Sequence, residues 1–380
     1  MRGRVAIAGA VAQKPGAAGH AWQFLQYLLG FRRLGYEVLL LDRLAGSESS
    51  QRAGATWLAG VMREAGLREA WSLDLGGGSH AGVPRRDALR FLASADFVLN
   101  VMGFLTDPEL LAAARRRVFL DTDPGFPQMW RELGLADVFA GHDVHVTIGE
   151  RIGEPDCAVP DAGIRWLTTP QPVVLDEWPR WPSGDGSRFT SVASWRGAYG
   201  PIDYAGHTYG LRVHQFRRFA DVPRRAGGEF ELALDIHLAD AADAERLRGG
   251  GWKLVKPAAV ASTVGGYRRY LQGSDAELMV AKGMYVDSRS GWISERSLCY
   301  LASGRPVLAQ DTGFTDLYRV GEGLLAFSTV EQALAGIEAI RADPVRHGGA
   351  ARAIAEEHFG SDRVLGRLIE LVGGARAMAA

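Results

Sequence analysis

Short apolar blocks recur along the chain, separated by polar turns that are rich in glycine. RVAIAGAV at 4–11 is one such block and predicts a buried parallel strand. Apolar residues then follow at helical spacing from His20 to Gly35, and YEVLLLD at 36–42 predicts a second strand. Because two parallel strands need a crossover connection, this order predicts a right-handed β-α-β unit and hence an α/β domain.

The same alternation of apolar blocks and turns continues to the end of the chain. Further strands are predicted at 96–102, 117–121, 189–195, 230–237, 252–256, 276–282, 306–309 and 321–327, and further helices at 208–220, 241–248, 267–272, 294–303, 329–342 and 345–372. Residues 150–185 are rich in Pro, Trp and Gly, which is typical of a linker. We therefore expect two α/β domains of similar size, each with a mainly parallel sheet, facing one another across a cleft.

The composition fits a globular protein of two domains. The 380 residues are 47% apolar and 23% charged, and the formal net charge of −1 gives no general attraction for nucleic acid or an anionic membrane. Cys157 and Cys299 are too few and too far apart for a disulfide framework or a zinc site, which fits a reducing compartment. The N-terminal apolar run lacks a convincing cleavage site and the length of a bilayer span, so we expect a cytoplasmic protein without a membrane span.

The stretch 284–314 combines three signals of a ligand site. A loop rich in Ser, Arg and Gly leads into a helix with Ser294 and Glu295 in its first turn. This helix ends at Gly304, and Pro306 begins the next strand. A helix N-terminus beside the carboxyl end of a parallel strand offers backbone N–H groups and a positive dipole end to an anion. The stretch therefore predicts a site for a phosphate-bearing ligand.

LASGRPVLAQDTGF at 301–314 resembles the donor-binding segment of GT-B glycosyltransferases. In that segment a helix ending in A-x-G-x-P-V precedes the last ligand-facing strand. The chain differs at Cys299, where retaining GT-B families often have a glutamate that contacts the ribose. Glu295 lies one helical turn earlier and could take over a donor contact.

The resemblance also implies a plan for the whole chain, with two Rossmann-like domains facing a cleft. An acceptor-binding domain would span 1–180 and a nucleotide-sugar-binding domain 181–355, and a C-terminal helix at 356–380 would pack back on the first domain. The order of elements agrees along nearly the whole chain. Agreement at the level of residues is confined to about 291–314 and, more weakly, to 4–42.

The first half offers three groups with catalytic chemistry. Its glycines lack G-x-G-x-x-G spacing, so the strict dinucleotide fingerprint is absent. Gly19-His20 at a helix start is similar to inverting GT-B enzymes, whose histidine there deprotonates the acceptor hydroxyl; a histidine that only caps the helix or meets solvent gives the same pattern. Asp121 and Asp123 could bind a metal, one of them could orient His20, or both could belong to a turn. We expect them on the acceptor side of the cleft, without metal.

The predicted contacts follow from these assignments. The catalytic residues would be His20 and Asp121, and the acceptor contacts Gly19, Phe104 and Asp123. Side chains near the predicted phosphate site supply the expected donor contacts: Arg196, Lys256, Lys282, Ser288, Arg289, Ser294, Glu295, Asp311 and Thr312. Arg196 is expected to contact the donor phosphates, because GT-B enzymes often have a phosphate-binding arginine in the loop after the first strand of the C-terminal domain, which is predicted here at 189–195. For Lys282, Ser288 and Arg289 a solvated surface position is the alternative, and for Arg196 the alternative is a structural arginine after a strand.

His142 and His145 are a further pair that could suggest a metal site. The apolar residues at 144, 146 and 148 alternate as in a strand, in which residues three apart face opposite sides. The pattern therefore predicts that the two imidazoles point apart and do not share a metal ion.

The resemblance implies a glycosyltransferase that moves a hexosyl or deoxyhexosyl group from a nucleoside-diphosphate sugar to an acceptor. We expect a small-molecule acceptor such as a natural product, no nucleic acid partner, and neither a metal nor another cofactor. Two alternatives stay open: a nucleotide-sugar epimerase of the same fold, and a non-catalytic two-lobed protein that binds a nucleotide or a sugar.

Overall fold

The computed structural model describes residues 2–182 and 184–374, in which two sheets each form the centre of one domain. The strands of the N-terminal domain are β1 (Gly3–Gly9), β2 (Tyr36–Arg43), β3 (Trp71–Gly76), β4 (Ser79–Gly82), β5 (Phe97–Val101), β6 (Arg117–Asp121), β7 (Val144–Thr147) and β8 (Trp166–Thr168). Its helices are α1 (Ala18–Arg33), α2 (Glu48–Glu64), α3 (Arg85–Ser94), α4 (Pro108–Ala113) and α5 (Phe126–Glu132). The strand order is β4-β3-β2-β1-β5-β6-β7-β8, and every pair is parallel except β3 with β4.

The C-terminal domain repeats this design with a sheet of six parallel strands and a separate hairpin. Its strands are β9 (Arg188–Ser194), β10 (Ile202–Tyr204), β11 (His207–Tyr209), β12 (Glu229–Asp235), β13 (Trp252–Val255), β14 (Ala276–Met279), β15 (Val307–Gln310) and β16 (Leu324–Phe327). The helices are α6 (Arg212–Arg218), α7 (Val222–Ala226), α8 (Ala241–Gly249), α9 (Pro257–Val260), α10 (Val264–Gln272), α11 (Gly283–Ser288), α12 (Glu295–Ala302), α13 (Val330–Ala342), α14 (Pro344–Ile354) and α15 (Ser361–Gly374). The sheet order is β13-β12-β9-β14-β15-β16, and β10 pairs only with β11.

In both sheets the order of the strands reverses near the centre, and this point of reversal determines where a ligand can bind. In the first sheet the chain proceeds outward from β1 on one side and from β5 on the other; in the second it does so from β9 and from β14. Ligands of open parallel sheets bind beyond the carboxyl ends of the strands at such points. The loops after β1 and β6 of the first domain lie opposite those after β9 and β14 of the second, across one cleft.

The last helix, α15, lies on α1 of the N-terminal domain. A Cβ on Gly30 of α1 would lie only 2.5 Å from Leu365 of α15, so the absence of a side chain at this position permits the close contact. Arg33 and Asp362 join the two helices through an ion pair of 3.2 Å. Because α1 is covered by the sheet on one side and by other helices on the rest, eleven of its residues are buried, which explains its nearly continuous apolar sequence.

Three predicted elements differ from the structure. The helix predicted at 345–372 is interrupted by a π-helical turn at 355–359, and Gly360 bridges to Val173 before α15 begins. The start of the helix predicted at 208–220 is instead β11 of a hairpin, whose two-residue turn has positive φ at Ala205 and Gly206. The loop predicted at 287–291 begins inside the short helix α11, which includes Asp287 and Ser288.

Candidate functional site

A cleft of about 950 Å³ lies between the carboxyl edges of the two sheets. The N-terminal domain lines it with residues 14–20 and with Asp123 after β6. The C-terminal domain lines it with the loops after β9, β12, β13 and β14 and with the start of α12. The predicted site residues found in this cleft are Gly19, His20, Asp123, Arg196, Lys256, Lys282, Ser294 and Glu295. The cleft therefore brings together predicted residues of both domains.

The N-terminus of α12 forms one wall of the cleft. Ser294 precedes the helix, and its side chain makes no capping hydrogen bond to the backbone. The first N–H groups of α12 thus lack a side-chain acceptor, and with the helix dipole they favour an anion. Arg296 in the first turn donates to Glu277 of β14 at 2.5 Å and to the carbonyl of Val192 of β9 at 2.6 Å. These two contacts fix the helix start against the sheet.

Ser288 and Arg289, predicted as donor contacts, do not line this cleft. Helix α11 ends with Arg289 in the left-handed region (φ 51°), and the chain then turns toward the N-terminal domain. The carbonyl of Ser288 accepts a hydrogen bond from Ala158 N–H at 2.9 Å. Arg289 pairs with Asp156 at 3.0 Å and with Asp316 at 2.8 Å. The predicted phosphate loop is therefore an interdomain contact, and only the start of α12 faces the cleft.

Asp311 and Thr312 are likewise engaged in local structure outside the cleft. One oxygen of Asp311 accepts from Gly313 N–H at 2.8 Å and the other from the Thr315 hydroxyl at 3.1 Å. Thr312 donates its hydroxyl to the carbonyl of Trp292 at 2.5 Å and is fully buried. The side chains of these two predicted donor contacts therefore stabilise the turn after β15.

Arg196 lines the cleft, but its charge is already paired. Its Nε donates to Asp240 at 2.8 Å, a second guanidinium nitrogen contacts the same carboxylate, and 60% of its side chain is exposed. The Asp240 carboxylate raises the pKa of Arg196 above its usual range. Any phosphate at this position has to compete with Asp240 for the guanidinium.

Arg212, which the sequence analysis missed, is a further cation of the cleft. It is the first residue of α6, and its Nε is buried without a hydrogen-bond partner among the described residues. Burial, followed by the charge of Arg296, lowers the pKa of Arg212 to about 10, so the group is still protonated at neutral pH. The helix predicted at 208–220 placed Arg212 in its interior, so no local sequence signal marked this residue.

Asp123, Lys282 and Tyr285 form a polar cluster between the domains. Lys282 Nζ lies 2.7 Å from Asp123 Oδ1 and 3.0 Å from the Tyr285 hydroxyl, which itself donates to the same Oδ1. The ammonium also lies 5.0 Å from the ring centre of Phe126 and 5.8 Å from that of Tyr199. This aromatic cage and the carboxylate fix the position of the lysine at the cleft.

His20 faces the cleft in a form that makes it a weak base. Its Nε2 lies 3.1 Å from the carbonyl oxygen of Ala10, and since a carbonyl can only accept, Nε2 carries the hydrogen. Burial, with a further contribution from the Lys14 charge, lowers the pKa of His20 to about 4. The imidazole is therefore neutral at pH 7, with Nδ1 unprotonated, but its basicity is low for a general base.

Asp121 does not line the cleft and does not orient His20. Its carboxylate is completely buried and accepts from Gln128 Nε2 at 2.7 Å, Thr147 Oγ1 at 2.8 Å and Asp123 N–H at 3.0 Å. Burial raises the pKa of Asp121 to about 6 despite these donors. The structure therefore places Asp121 in the packing between the β6 and β7 ends, away from the cleft.

Gly19 and Phe104, the two further predicted acceptor contacts, lie in different places. Gly19 lines the cleft, and a Cβ there would lie 3.0 Å from the ring of Tyr267 in the opposite domain, so glycine permits the close interdomain approach. Phe104 lines a separate small cavity beside Thr106 and Asp107. Only Gly19 of the two is therefore among the residues that line the cleft.

The side-by-side position of His142 and His145 also corrects the sequence analysis. Strand β7 begins only at Val144, so strand alternation does not apply to His142. The two rings lie 6.2 Å apart, and each has a nitrogen near the carbonyl oxygen of Phe139, at 3.0 Å and 3.2 Å. Within residues 2–182 and 184–374, no group of three or more His, Cys, Asp or Glu side chains is placed to hold a metal ion.

Glu295 is a cleft carboxyl that is protonated over part of the physiological pH range. Its Oε1 accepts a hydrogen bond from the Cys299 thiol at 3.2 Å, and burial raises the pKa of Glu295 to about 7. Cys299 thus contacts the carboxyl of Glu295.

We expect Glu295→Gln to remove a pH dependence of stability. Because the folded-state pKa of about 7 exceeds the ordinary value of 4.5, the folded chain holds this proton more tightly, and the stabilisation is lost as pH rises through 7. Relative to the variant, the wild type should lose about 2–3 kcal/mol of unfolding free energy between pH 4.5 and pH 8. Urea unfolding of both proteins across this range measures the difference. Parallel curves would show that Glu295 titrates normally.

No family model matches the sequence, and no curated protein sequence matches it. Solved structures do share its fold. An alpha-glucosyltransferase in complex with UDP is 11% identical and has a TM-score of 0.59, with 98% of this chain and 100% of that chain covered. AviGT4, a glycosyltransferase involved in avilamycin A biosynthesis, is 13% identical, with a TM-score of 0.56 and 97% of each chain covered.

HepE from Anabaena, in complex with UDP and glucose, is a third similar structure. It is 12% identical, has a TM-score of 0.58, and the match covers 98% of this chain and 100% of that chain. The chain thus has the GT-B fold of two Rossmann-like domains facing a cleft, and the resemblance found in LASGRPVLAQDTGF is confirmed at the level of fold. Among the described residues, no helix is both long enough and apolar enough to span a membrane.

Proposed function

We propose that this chain, which has the GT-B fold, transfers a hexosyl or deoxyhexosyl group from a nucleoside-diphosphate sugar to a small-molecule acceptor. The observation that carries the proposal is the guanidinium of Arg212, a charge in the cleft whose Nε has no hydrogen-bond partner among the described residues. A desolvated cation without a partner is costly, and its presence in a cleft is best explained by an anionic ligand. UDP in two of the similar structures supports a diphosphate as that anion.

The donor would be bound mainly by the C-terminal domain. Arg212, Lys282 and the free N–H groups at Ser294–Glu295 surround the part of the cleft suited to a diphosphate. The reaction needs stabilisation of the charge that develops on this leaving group, and preorganised cations and backbone N–H groups provide it. Lys256, after β13, lies on the same side of the cleft and would contact the nucleoside.

The acceptor would approach from the N-terminal domain, beside His20 and Asp123. With a pKa of about 4, His20 is better suited to binding a hydroxyl group than to removing its proton. The formal net charge of −1 supports a small molecule over DNA as the acceptor. Cys157 and Cys299 are free thiols, which supports a cytoplasmic site of action.

Incubation with UDP-, dTDP- and GDP-sugars, with and without a panel of hydroxylated acceptors, tests the proposal. We expect release of nucleoside diphosphate that depends on an acceptor, together with a glycosylated product detected by mass spectrometry. Isomerisation of the sugar without an acceptor would contradict the proposal in favour of an epimerase. Tight binding without turnover across the panel would contradict it in favour of a binding protein.

A further inference from the structure

Asp123 is a cleft carboxylate with only one of its two oxygens engaged. Oδ1 accepts from Lys282 Nζ and from the Tyr285 hydroxyl, both in the opposite domain. Oδ2 has no hydrogen-bond partner among the described residues, and the side chain, 25% exposed, lines the cleft. One oxygen of Asp123 is thus fixed across the domain interface while the other is open to a ligand.

The surroundings of Asp123 restrict what that ligand group can be. The charge of Asp123 acts on Lys14, His20 and Arg212, which all line the same cleft. A phosphate would be attracted by the charges of Lys14 and Arg212 but repelled by the carboxylate. A hydroxyl group, in contrast, can donate to Oδ2 without competing for the cations, and a charged acceptor strengthens such a hydrogen bond.

We propose that Asp123 binds a hydroxyl group of the substrate through Oδ2, and that Lys282 and Tyr285 position the carboxylate for this contact. The inference rests on the proposed function, since the hydroxyl would belong either to the transferred sugar or to the acceptor. Both sources have the same chemistry and are separated by the measurements below. The two positioning residues belong to the C-terminal domain, so the contact is complete only when the domains are closed as they are here.

Calorimetry and kinetics of Asp123→Asn test this inference. The probes are UDP and UDP-glucose, or another nucleoside diphosphate and its sugar derivative if the protein prefers a different base. Loss of a hydrogen bond to a charged group should weaken binding of the substrate that supplies the hydroxyl by about tenfold to a hundredfold. If the hydroxyl comes from the sugar, the variant loses this factor for the sugar nucleotide but not for the nucleoside diphosphate. If it comes from the acceptor, both nucleotides bind normally, and acceptor KM or kcat changes by the same factor.

Tyr285→Phe distinguishes positioning from a general structural effect. This change keeps the stacking of residue 285 on Trp292, whose ring centre is 4.2 Å away, and removes only the hydroxyl that holds Asp123. We expect it to weaken the hydroxyl-dependent step several-fold in the wild type and to have no added effect in Asp123→Asn. Equal losses in both backgrounds would show that Tyr285 acts independently of Asp123.

Asp287→Asn is a matched control, because Asp287 is exposed on the same helix as Tyr285 and pairs with the surface residue His207. It should leave all constants within about threefold. Asp123→Asn constants within that same range would overturn the inference while leaving the proposed function intact. Failure of the wild type to bind any sugar nucleotide would instead contradict the proposed function itself.

Discussion

Replacing Arg212 by methionine is expected to weaken binding of a nucleoside diphosphate by about a hundredfold or more. The guanidinium is desolvated, protonated, and without a hydrogen-bond partner at its Nε, so little has to be broken before it binds phosphate oxygens. A charge-assisted hydrogen bond contributes about 1.5–3 kcal/mol, and a guanidinium can form two to one phosphate group. Titration calorimetry with UDP, dTDP and GDP measures the loss.

The same substitution should stabilise the unliganded protein, which separates a binding role from a structural one. Methionine fills similar space without the cost of a buried charge, so we expect the free energy of unfolding to rise by about 1 kcal/mol. Arg196→Met is the matched control: its guanidinium is exposed and paired with Asp240, so its loss should reduce nucleotide affinity less than tenfold. An Arg212→Met protein that unfolds more easily and binds nucleotide normally would assign this arginine to the scaffold.

The hydrophobic pattern was sufficient to predict the central strands of both sheets, because each of them is buried on both faces and therefore reads as an apolar block, whereas β3, β4 and β8 at the edges of the first sheet were not predicted. Val5 and Ile7 in β1 and Leu278 in β14 are examples, all at most 1% exposed. The hairpin β10–β11 was missed because its turn, Ala205-Gly206, places a non-glycine residue at positive φ. The short helix α11, with the sequence GMYVDS, was missed because its last two residues, Asp287 and Ser288, were assigned to the predicted loop at 287–291.

The sequence predicts which residues reach the cleft when they directly follow a strand, but not when their position depends on the path of a loop. Asp123 and Lys282 follow β6 and β14, and parallel strands bring such positions to one edge regardless of the loops. Arg289 also comes after β14 in the chain and was expected at the same edge, but its left-handed backbone turns it toward Asp156. Arg212 enters the cleft only because the hairpin precedes α6, a tertiary effect that no local pattern contains.

Glu277→Gln is expected to destabilise the C-terminal domain by about 3–5 kcal/mol. Glu277 is fully buried in β14, and Arg296, only 9% exposed, donates to it at 2.5 Å. The amide keeps the shape of the carboxylate but removes the counter-charge, so the guanidinium stays buried and uncompensated. Since Arg296 also fixes the start of α12, the variant should lose nucleotide affinity along with stability. Urea unfolding followed by tryptophan fluorescence measures the first effect, and calorimetry with UDP the second.

The double variant Glu277→Gln with Arg296→Met shows whether the loss comes from the unpaired charge. Removing both charges takes away the desolvation cost together with the attraction, so the double variant should recover at least half of the stability lost in Glu277→Gln. Nucleotide affinity should not recover with it, because methionine cannot donate to the Val192 carbonyl and leaves the start of α12 unanchored. If the single and double variants are equally unstable, the packing around β14 determines stability at this position; if nucleotide affinity returns with stability, the anchoring role of Arg296 is wrong.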